Sequence, residues 1–93
     1  MVSKHDKIAQ RLADKYDVEY NEGKGPDIKT PNKVIEVATP DSDMQDSKRQ
    51  LQGFTKPRYL AVPSDKIGVA KEKVEGTGIG VMGPTGKIHK KAH

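Results

Sequence analysis

Apolar residues at helical spacing mark the first element of the chain. They stand three and four residues apart at Ile8, Ala9, Leu12, Ala13 and Tyr16. Ser3 is a favourable N-cap residue and the spacing ends at Asp17, so we predict an amphipathic helix between them. His5 precedes Ile8 and Ala9 by three and four residues, which places it on or beside the buried stripe of this helix.

Segments of β-forming residues separated by turn residues predict a sheet. We expect strands over residues 18–21, 27–30, 33–38, 58–62, 79–82 and 87–89. Two further helices are predicted over 41–53 and 64–75. The order is therefore helix, three strands, helix, strand, helix and a closing hairpin. Strand–helix–strand connections favour parallel strands with right-handed crossovers, so the predicted fold class is α/β or α+β, a mixed sheet with helices packed against it.

The hairpin at 27–38 sets two acids into a half-buried sheet. A two-residue turn at Pro31-Asn32 pairs Thr30 with Lys33, Ile28 with Ile35 and Asp27 with Glu36. Alternation puts Ile28, Ile35 and Val37 on the core face and both acids on the other. Like charges directly opposite each other destabilise a sheet. We therefore expect a positive group between Asp27 and Glu36, either a metal ion or a lysine.

Composition and charge narrow the chemistry. The 93 residues are 32% apolar and 4% aromatic, so we expect one small domain over 1–93 with a thin core that a dimer would help to stabilise. The chain has no cysteine, which excludes disulfide bonds and cysteine-based zinc sites within it and leaves carboxylates and histidines as metal ligands. Its net charge of +4 suits a polyanionic partner.

The ends of the chain give two further expectations. No apolar stretch is long enough for a membrane helix and the N-terminus has no secretory signal pattern, so a cytoplasmic protein is predicted. The basic end at 90–93 is expected to be unstructured.

Asp27 and Glu36 form a candidate site for a divalent ion. Two carboxylates on neighbouring strands, with the backbone carbonyl of Val37 as a third oxygen ligand, suit Mg²⁺ or Mn²⁺. Such an ion polarises a phosphodiester and activates water for in-line attack. A cross-strand ion pair between Lys29 and Glu36 is the alternative, and it explains Glu36 without a metal but not Asp27 beside it.

With these residues the chain resembles the PD-(D/E)xK, or restriction-endonuclease-like, nuclease superfamily, whose members include archaeal Holliday junction resolvases and Mrr-type enzymes. Pro26-Asp27 followed by Glu36-Val37-Ala38 fits the acids of its motif. The predicted order of elements resembles its minimal core, and the segments 78–81 and 85–88 resemble its closing hairpin. The resemblance implies a metal-dependent nuclease in which Asp27 and Glu36 bind the ion and His5 adds a further site residue from the first helix.

The chain departs from this motif at one position. The family has a lysine two residues after the second acid, whereas this chain has Ala38. Three explanations stay open. The lysine function has moved to Lys48 on the second predicted helix or to Lys29; or Ala38 is an inactivating substitution; or the domain binds nucleic acid or another protein without cleaving a substrate.

A nuclease of this type implies DNA as the partner. Basic residues spread along the chain are candidate phosphate contacts, namely Lys24, Arg49, Lys56, Arg58, Lys87, Lys90 and Lys91. A homodimer is also expected, because a chain of 93 residues offers little surface to grip a duplex.

Overall fold

The computed structural model describes residues 4–20, 27–38, 51 and 56–92, which form a five-stranded mixed sheet with two α-helices. The elements are α1 (Lys4–Tyr16), β1 (Ile28–Thr30), β2 (Lys33–Val37), β3 (Arg58–Ala61), a 3₁₀ helix (Ser64–Lys66), α2 (Ile67–Lys73), β4 (Gly80–Met82) and β5 (Ile88–Lys90). This confirms the predicted mixed α and β class.

The strands follow one another in the sheet in the order β1-β2-β3-β4-β5. The two outer pairs are antiparallel, whereas β2, β3 and β4 run parallel, as the intervening helices predicted. The ends of these three strands and the start of β1 therefore lie at one edge of the sheet, which we call the carboxyl edge. The starts of β2, β3 and β4 define the opposite, amino edge.

The β1–β2 hairpin has the register that its sequence predicted. Ile28 pairs with Ile35 and Thr30 with Lys33. The backbone N–H of Lys33 donates to Thr30 Oγ1 over 3.0 Å, so the threonine side chain closes the turn. This register brings Asp27 and Glu36 to the carboxyl edge.

Helix α1 ends through a left-handed residue. Asp17 has φ 55°, and the N–H of Val18 donates to the carbonyl of Ala13 over 2.9 Å, which is the pattern of a Schellman C-cap. The strand predicted over 18–21 is wrong for the described residues 18–20, which form no strand. Their side chains pack instead, because Val18 and Tyr20 lie against the core beneath α1.

Apolar side chains form a cluster on each face of the sheet. The cluster beneath α1 contains Ile8, Ala9, Leu12, Ala13, Ile28, Ile35, Val37, Tyr59, Ala61 and Met82. The cluster beneath α2 contains Val34, Ala38, Leu51, Leu60, Val62, Ala70, Val74, Ile79 and Val81. Neighbours along a strand point to opposite faces, so Glu36 shares the α2 face with Val34 and Ala38. The face predicted to carry the acids is therefore also part of the core.

The structure describes one residue of the second predicted helix and most of the basic end of the chain. The helix predicted over 41–53 lies outside the described residues except for Leu51, which is buried. The basic end predicted to be unstructured differs from the structure, since Lys90 belongs to β5 and the N–H of Ala92 donates to the hydroxyl of Tyr59 over 3.4 Å. Among the described residues, no helix has the length and apolar character needed to cross a membrane.

Candidate functional site

Asp27 lies at the carboxyl edge, one residue before β1 begins. Its side chain is held in place, with Oδ2 accepting the backbone N–H of Val37 over 2.9 Å and lying 3.2 Å from His5 Nε2. Asp27 thus completes the hydrogen bonding of β2 with a side-chain oxygen where β1 supplies no strand residue. The residue is 8% exposed, so this carboxylate is fixed in a largely dry environment.

Glu36 brings a second buried carboxyl group to the same place. Burial, a hydrogen bond to the side chain of Asp27 and the negative charge of Asp27, in that order, raise the pKa of Glu36 to about 9. At neutral pH the two acids therefore hold one proton between them, which Glu36 carries. Its Oε2 is buried and has no hydrogen-bond partner among the described residues. A buried oxygen without a partner costs stability, so the position of this group needs a physical explanation.

His5 connects this acid pair to a second group of polar side chains. Its Nδ1 lies 3.2 Å from the hydroxyl of Tyr20, and that hydroxyl donates to Asp6 Oδ1 over 2.8 Å. Because Tyr20 gives its single proton to Asp6, we assign the donor role in the contact between His5 and Tyr20 to Nδ1 of His5.

The sequence analysis placed His5 near the buried stripe of α1 but missed Tyr20 and Asp6 as its partners. The strand predicted over 18–21 would instead direct the Tyr20 hydroxyl to one face of the sheet, away from the start of α1. No local pattern could have revealed that the chain after Asp17 turns back toward the start of α1, because that turn depends on a left-handed residue other than glycine.

The donor atoms at the acid pair suit a hard divalent ion. Glu36 Oε2 is available, and the N–H and C=O of one strand residue point to the same side, so the carbonyl of Val37 is directed toward Asp27. Carboxylate and carbonyl oxygens are the ligands that Mg²⁺ and Mn²⁺ prefer. In the part of the chain that the structure describes, no group of three or more His, Cys, Asp or Glu side chains is arranged to hold a metal ion. The candidate ligand set is therefore two carboxylates and one main-chain oxygen.

The position of the missing lysine is part of the core. Ala38 is completely buried beneath α2, on the face that it shares with Glu36. Lys29 pairs with Val34 and is exposed, which puts it diagonal to Glu36 across the hairpin, as predicted. Lys48 lies outside the described residues.

The predicted phosphate contacts are divided between the two edges. Arg58 and Lys90 lie at the amino edge, where the guanidinium of Arg58 donates to the carbonyl of Thr77 over 3.1 Å and Lys90 Nζ donates to the carbonyl of Ile79 over 3.0 Å. Lys56 is exposed at this same edge, and Lys91 is exposed next to β5. Lys87 is exposed in the β4–β5 connection at the carboxyl edge. Lys24 and Arg49 lie outside the described residues.

Comparison of the chain with protein-family models, with curated proteins and with solved structures gave no match. The acid pair is marked by its chemistry and by its location in the sheet. Ligands of open sheets with parallel strands bind outside the carboxyl ends of those strands, which is where Asp27 and Glu36 lie.

Proposed function

We propose that this protein is a divalent-metal-dependent nuclease of the PD-(D/E)xK type that hydrolyses phosphodiester bonds in DNA. The observation that carries the proposal is the buried acid pair at the carboxyl edge, in which Glu36 keeps a proton and one oxygen without a partner beside Asp27. Glu36 Oε2 gains no hydrogen bond from the described residues, whereas a bound cation would replace the proton of Glu36 and supply the missing partner.

Asp27, Glu36 and the carbonyl of Val37 are the groups that would hold Mg²⁺ or Mn²⁺. The bound ion would supply charge stabilisation at the phosphate and a water of lowered pKa. Asp27 is oriented for this role by the Val37 N–H and by His5. His5 can hold a proton at Nε2 beside the site, and Lys29 or Lys48 would supply the cationic group that the motif places at position 38.

A nucleic-acid-binding or protein-interaction module without cleavage activity is the second candidate. The burial of Ala38 favours it, because the motif position that should carry the lysine is filled by a methyl group within the core. In this case the acid pair would be a remnant, and binding would survive its removal.

Cleavage assays on branched, duplex and single-stranded DNA in Mg²⁺ and in Mn²⁺ separate the two candidates. We expect metal-dependent cleavage by the native protein and none by Asp27→Ala, whereas Glu72→Gln, an exposed acid of α2, should behave as the native protein. Failure of the native protein to cleave any of the three DNAs would contradict the nuclease. Salt-dependent binding that survives Asp27→Ala without cleavage would favour the second candidate.

We further infer that the nuclease acts as a homodimer, since 93 residues provide a small area for contact with a duplex. Sedimentation of the protein with and without DNA measures this directly. A monomer in both conditions would contradict the inference.

A further inference from the structure

A groove of about 450 Å³ lies at the carboxyl edge between α1 and the segments that follow β3 and β4. Its floor is Ile8 and its apolar walls are Pro63 and Pro84. Its rim is polar and consists of Lys7, Arg11, Ser64 and Asp65, all of them exposed. A concave site with apolar walls and a few polar groups at the rim is the usual form of a small-ligand site, and its volume matches one nucleotide instead of a duplex.

The groove lies on the same edge of the sheet as the acid pair. It is formed beside the ends of β3 and β4, and these strands follow β2 in the sheet. Since neighbouring strands are about 4.8 Å apart, the groove lies roughly one to two strand spacings from Glu36. A chain of nucleotides with one phosphate at the acid pair would therefore extend along this edge into the groove.

The charge of the rim complements a phosphate backbone. Lys7 and Arg11 are one helical turn apart on α1, and Lys15 follows one turn further on, with its Nζ 3.3 Å from the carbonyl oxygen of Thr85. These three cations form a row along the groove side of α1. Asp65 opposes them on the rim, and its carboxylate can accept a hydrogen bond from an N–H group of a base, such as the N3–H of thymine.

We propose that this groove binds one unpaired nucleotide next to the phosphate that is cleaved, with Lys7 and Arg11 on the backbone phosphates and Pro63 and Pro84 against the base. The inference rests on the proposed nuclease, because it makes the groove a subsite of that centre. It identifies the substrate as DNA with a single-stranded segment at or beside the cleavage point. Among the described residues, none of the phosphate contacts expected from the sequence lines this groove.

Fluorescence anisotropy of a labelled oligo(dT) with the native protein in EDTA tests the groove without cleavage. Arg11→Ala should weaken binding about fivefold and reduce the slope of log K against log salt by about 0.7, the share of one lost phosphate contact with a single strand. Ser64→Leu fills the groove with an aliphatic side chain, without changing charge or adding a ring on which a base could stack, and should weaken binding by about the same factor. Lys71→Ala, which removes an exposed cation from α2 on the other face, should leave binding within about twofold.

Three results would overturn the proposal. Equal weakening by Lys71→Ala and none by Ser64→Leu would assign the binding to overall charge. Displacement of the oligonucleotide by polyglutamate at equal concentration would assign the groove to an acidic protein. Tighter binding of duplex than of oligo(dT) would exclude an unpaired nucleotide. Thermal unfolding of each variant checks that the fold is retained. Because Arg11 is exposed, its substitution does not remove a core side chain.

The outcome is separable from that of the proposed function. Metal-dependent cleavage with normal oligonucleotide binding by Arg11→Ala and Ser64→Leu would overturn the groove alone. Oligonucleotide binding that depends on both residues, in a protein without metal uptake or cleavage, would overturn the nuclease and support the groove as a single-strand binding site.

Discussion

The two edges of the sheet differ in whether their buried ionisable groups have hydrogen-bond partners. At the amino edge the half-buried guanidinium of Arg58 donates to main-chain carbonyls of Leu51 and Thr77, over 3.5 and 3.1 Å. At the carboxyl edge the buried side chains of Asp27 and Glu36 lie next to each other, and one oxygen of Glu36 has no hydrogen-bond partner among the described residues. The first arrangement satisfies a charge with carbonyl dipoles, while the second places two acidic groups side by side.

From this difference we infer that Arg58 serves the fold and that the acid pair serves the proposed chemistry. Hydrogen bonds from a charged donor to carbonyls stabilise a fold, and Arg58 also connects the β3 start to the turn before β4. An acid pair that retains a proton destabilises the fold relative to neutral side chains. We therefore expect substitutions at the amino edge to lower stability, and substitution of Glu36 to lower activity while leaving stability unchanged or higher.

The largest expected effect is an increase in the cleavage rate when a positive charge is added at the carboxyl edge. Ala38→Lys adds a positive charge on the face of Glu36 and should raise the cleavage rate about a hundredfold, the effect of one well-placed charge in a dry site. Overpacking of the core beneath α2 should cost about 1–3 kcal/mol of stability at the same time. The rate is measured on the DNA that the native protein cuts best.

Ala38→Met is the matched control, since methionine is an unbranched chain without charge. It should have the stability cost without the gain in rate. If the two variants cleave equally, or if neither exceeds the native protein, then Lys29 or Lys48 already supplies the charge or the domain lacks nuclease activity.

Removing the charge at the amino edge should have the next largest effect. Arg58→Met keeps most of the aliphatic stem but leaves the carbonyls of Leu51 and Thr77 without their donor, which should lower the free energy of unfolding by about 2–3 kcal/mol. Urea titration measures the loss. Lys56→Met, at an exposed residue nearby, should change the free energy of unfolding by less than about 0.5 kcal/mol. Similar values for the two variants would mean that Arg58 does not hold the amino edge together.

Glu36→Gln should change how stability depends on pH. The folded-state pKa of Glu36, about 9, lies above its ordinary value of 4.5, so the folded protein keeps a proton that the unfolded chain loses. The resulting stability is fully present below pH 4.5 and is lost as the pH rises through the window up to about 9, with a slope of at most about 1.4 kcal/mol per pH unit. In Glu36→Gln this part of the slope should disappear, with higher stability than the native protein near pH 9.

Urea titrations from pH 5 to about pH 9 on both proteins measure this difference. The three histidines are present in both, so their own contributions largely cancel in the comparison. Parallel curves for the two proteins would contradict the assignment of the retained proton to Glu36.

Tyr20→Phe should have the smallest effect. It removes the hydroxyl that lies between His5 and Asp6 and should cost about 1 kcal/mol of stability. Because His5 then loses one of its two orienting contacts, cleavage should fall about tenfold, as for other groups that orient a metal site. Tyr16→Phe is the control, since the ring of Tyr16 packs against Lys33. A normal cleavage rate in Tyr20→Phe would show that Tyr20 serves the fold alone.

The fold and the site differ in how far the sequence could predict them. The hairpin register followed from its turn at Pro31-Asn32 and from alternation, both of which are local. The parallel strands followed from the helical segments between them. The residues 18–20 were assigned wrongly, because the alternation of Val18 and Tyr20 also fits a loop that packs beneath a helix and Asp17 has the left-handed conformation usual for glycine.

The contacts of the site required the folded chain. His5 and Asp27 are 22 residues apart and meet because α1 packs across the sheet. The hydrogen-bond partners of Arg58 are main-chain carbonyls, and no residue pattern in a sequence marks such partners. From its charge alone, Arg58 is therefore predicted to contact a phosphate. The proximity of Asp27 and Glu36 could be predicted from the pairing rule, but the proton that they share depends on burial on the α2 face.

Isothermal titration calorimetry measures whether the acid pair binds Mg²⁺ or Mn²⁺. Repeating the titration near pH 7.5 in buffers of different ionisation enthalpy also measures the number of protons released on binding. If the acid pair is a divalent-ion site, binding should release about one proton per ion, because Glu36 must ionise to become a ligand. Glu36→Gln should bind more weakly and release no proton. Binding by the native protein without proton release, or no binding at millimolar metal, would contradict the account.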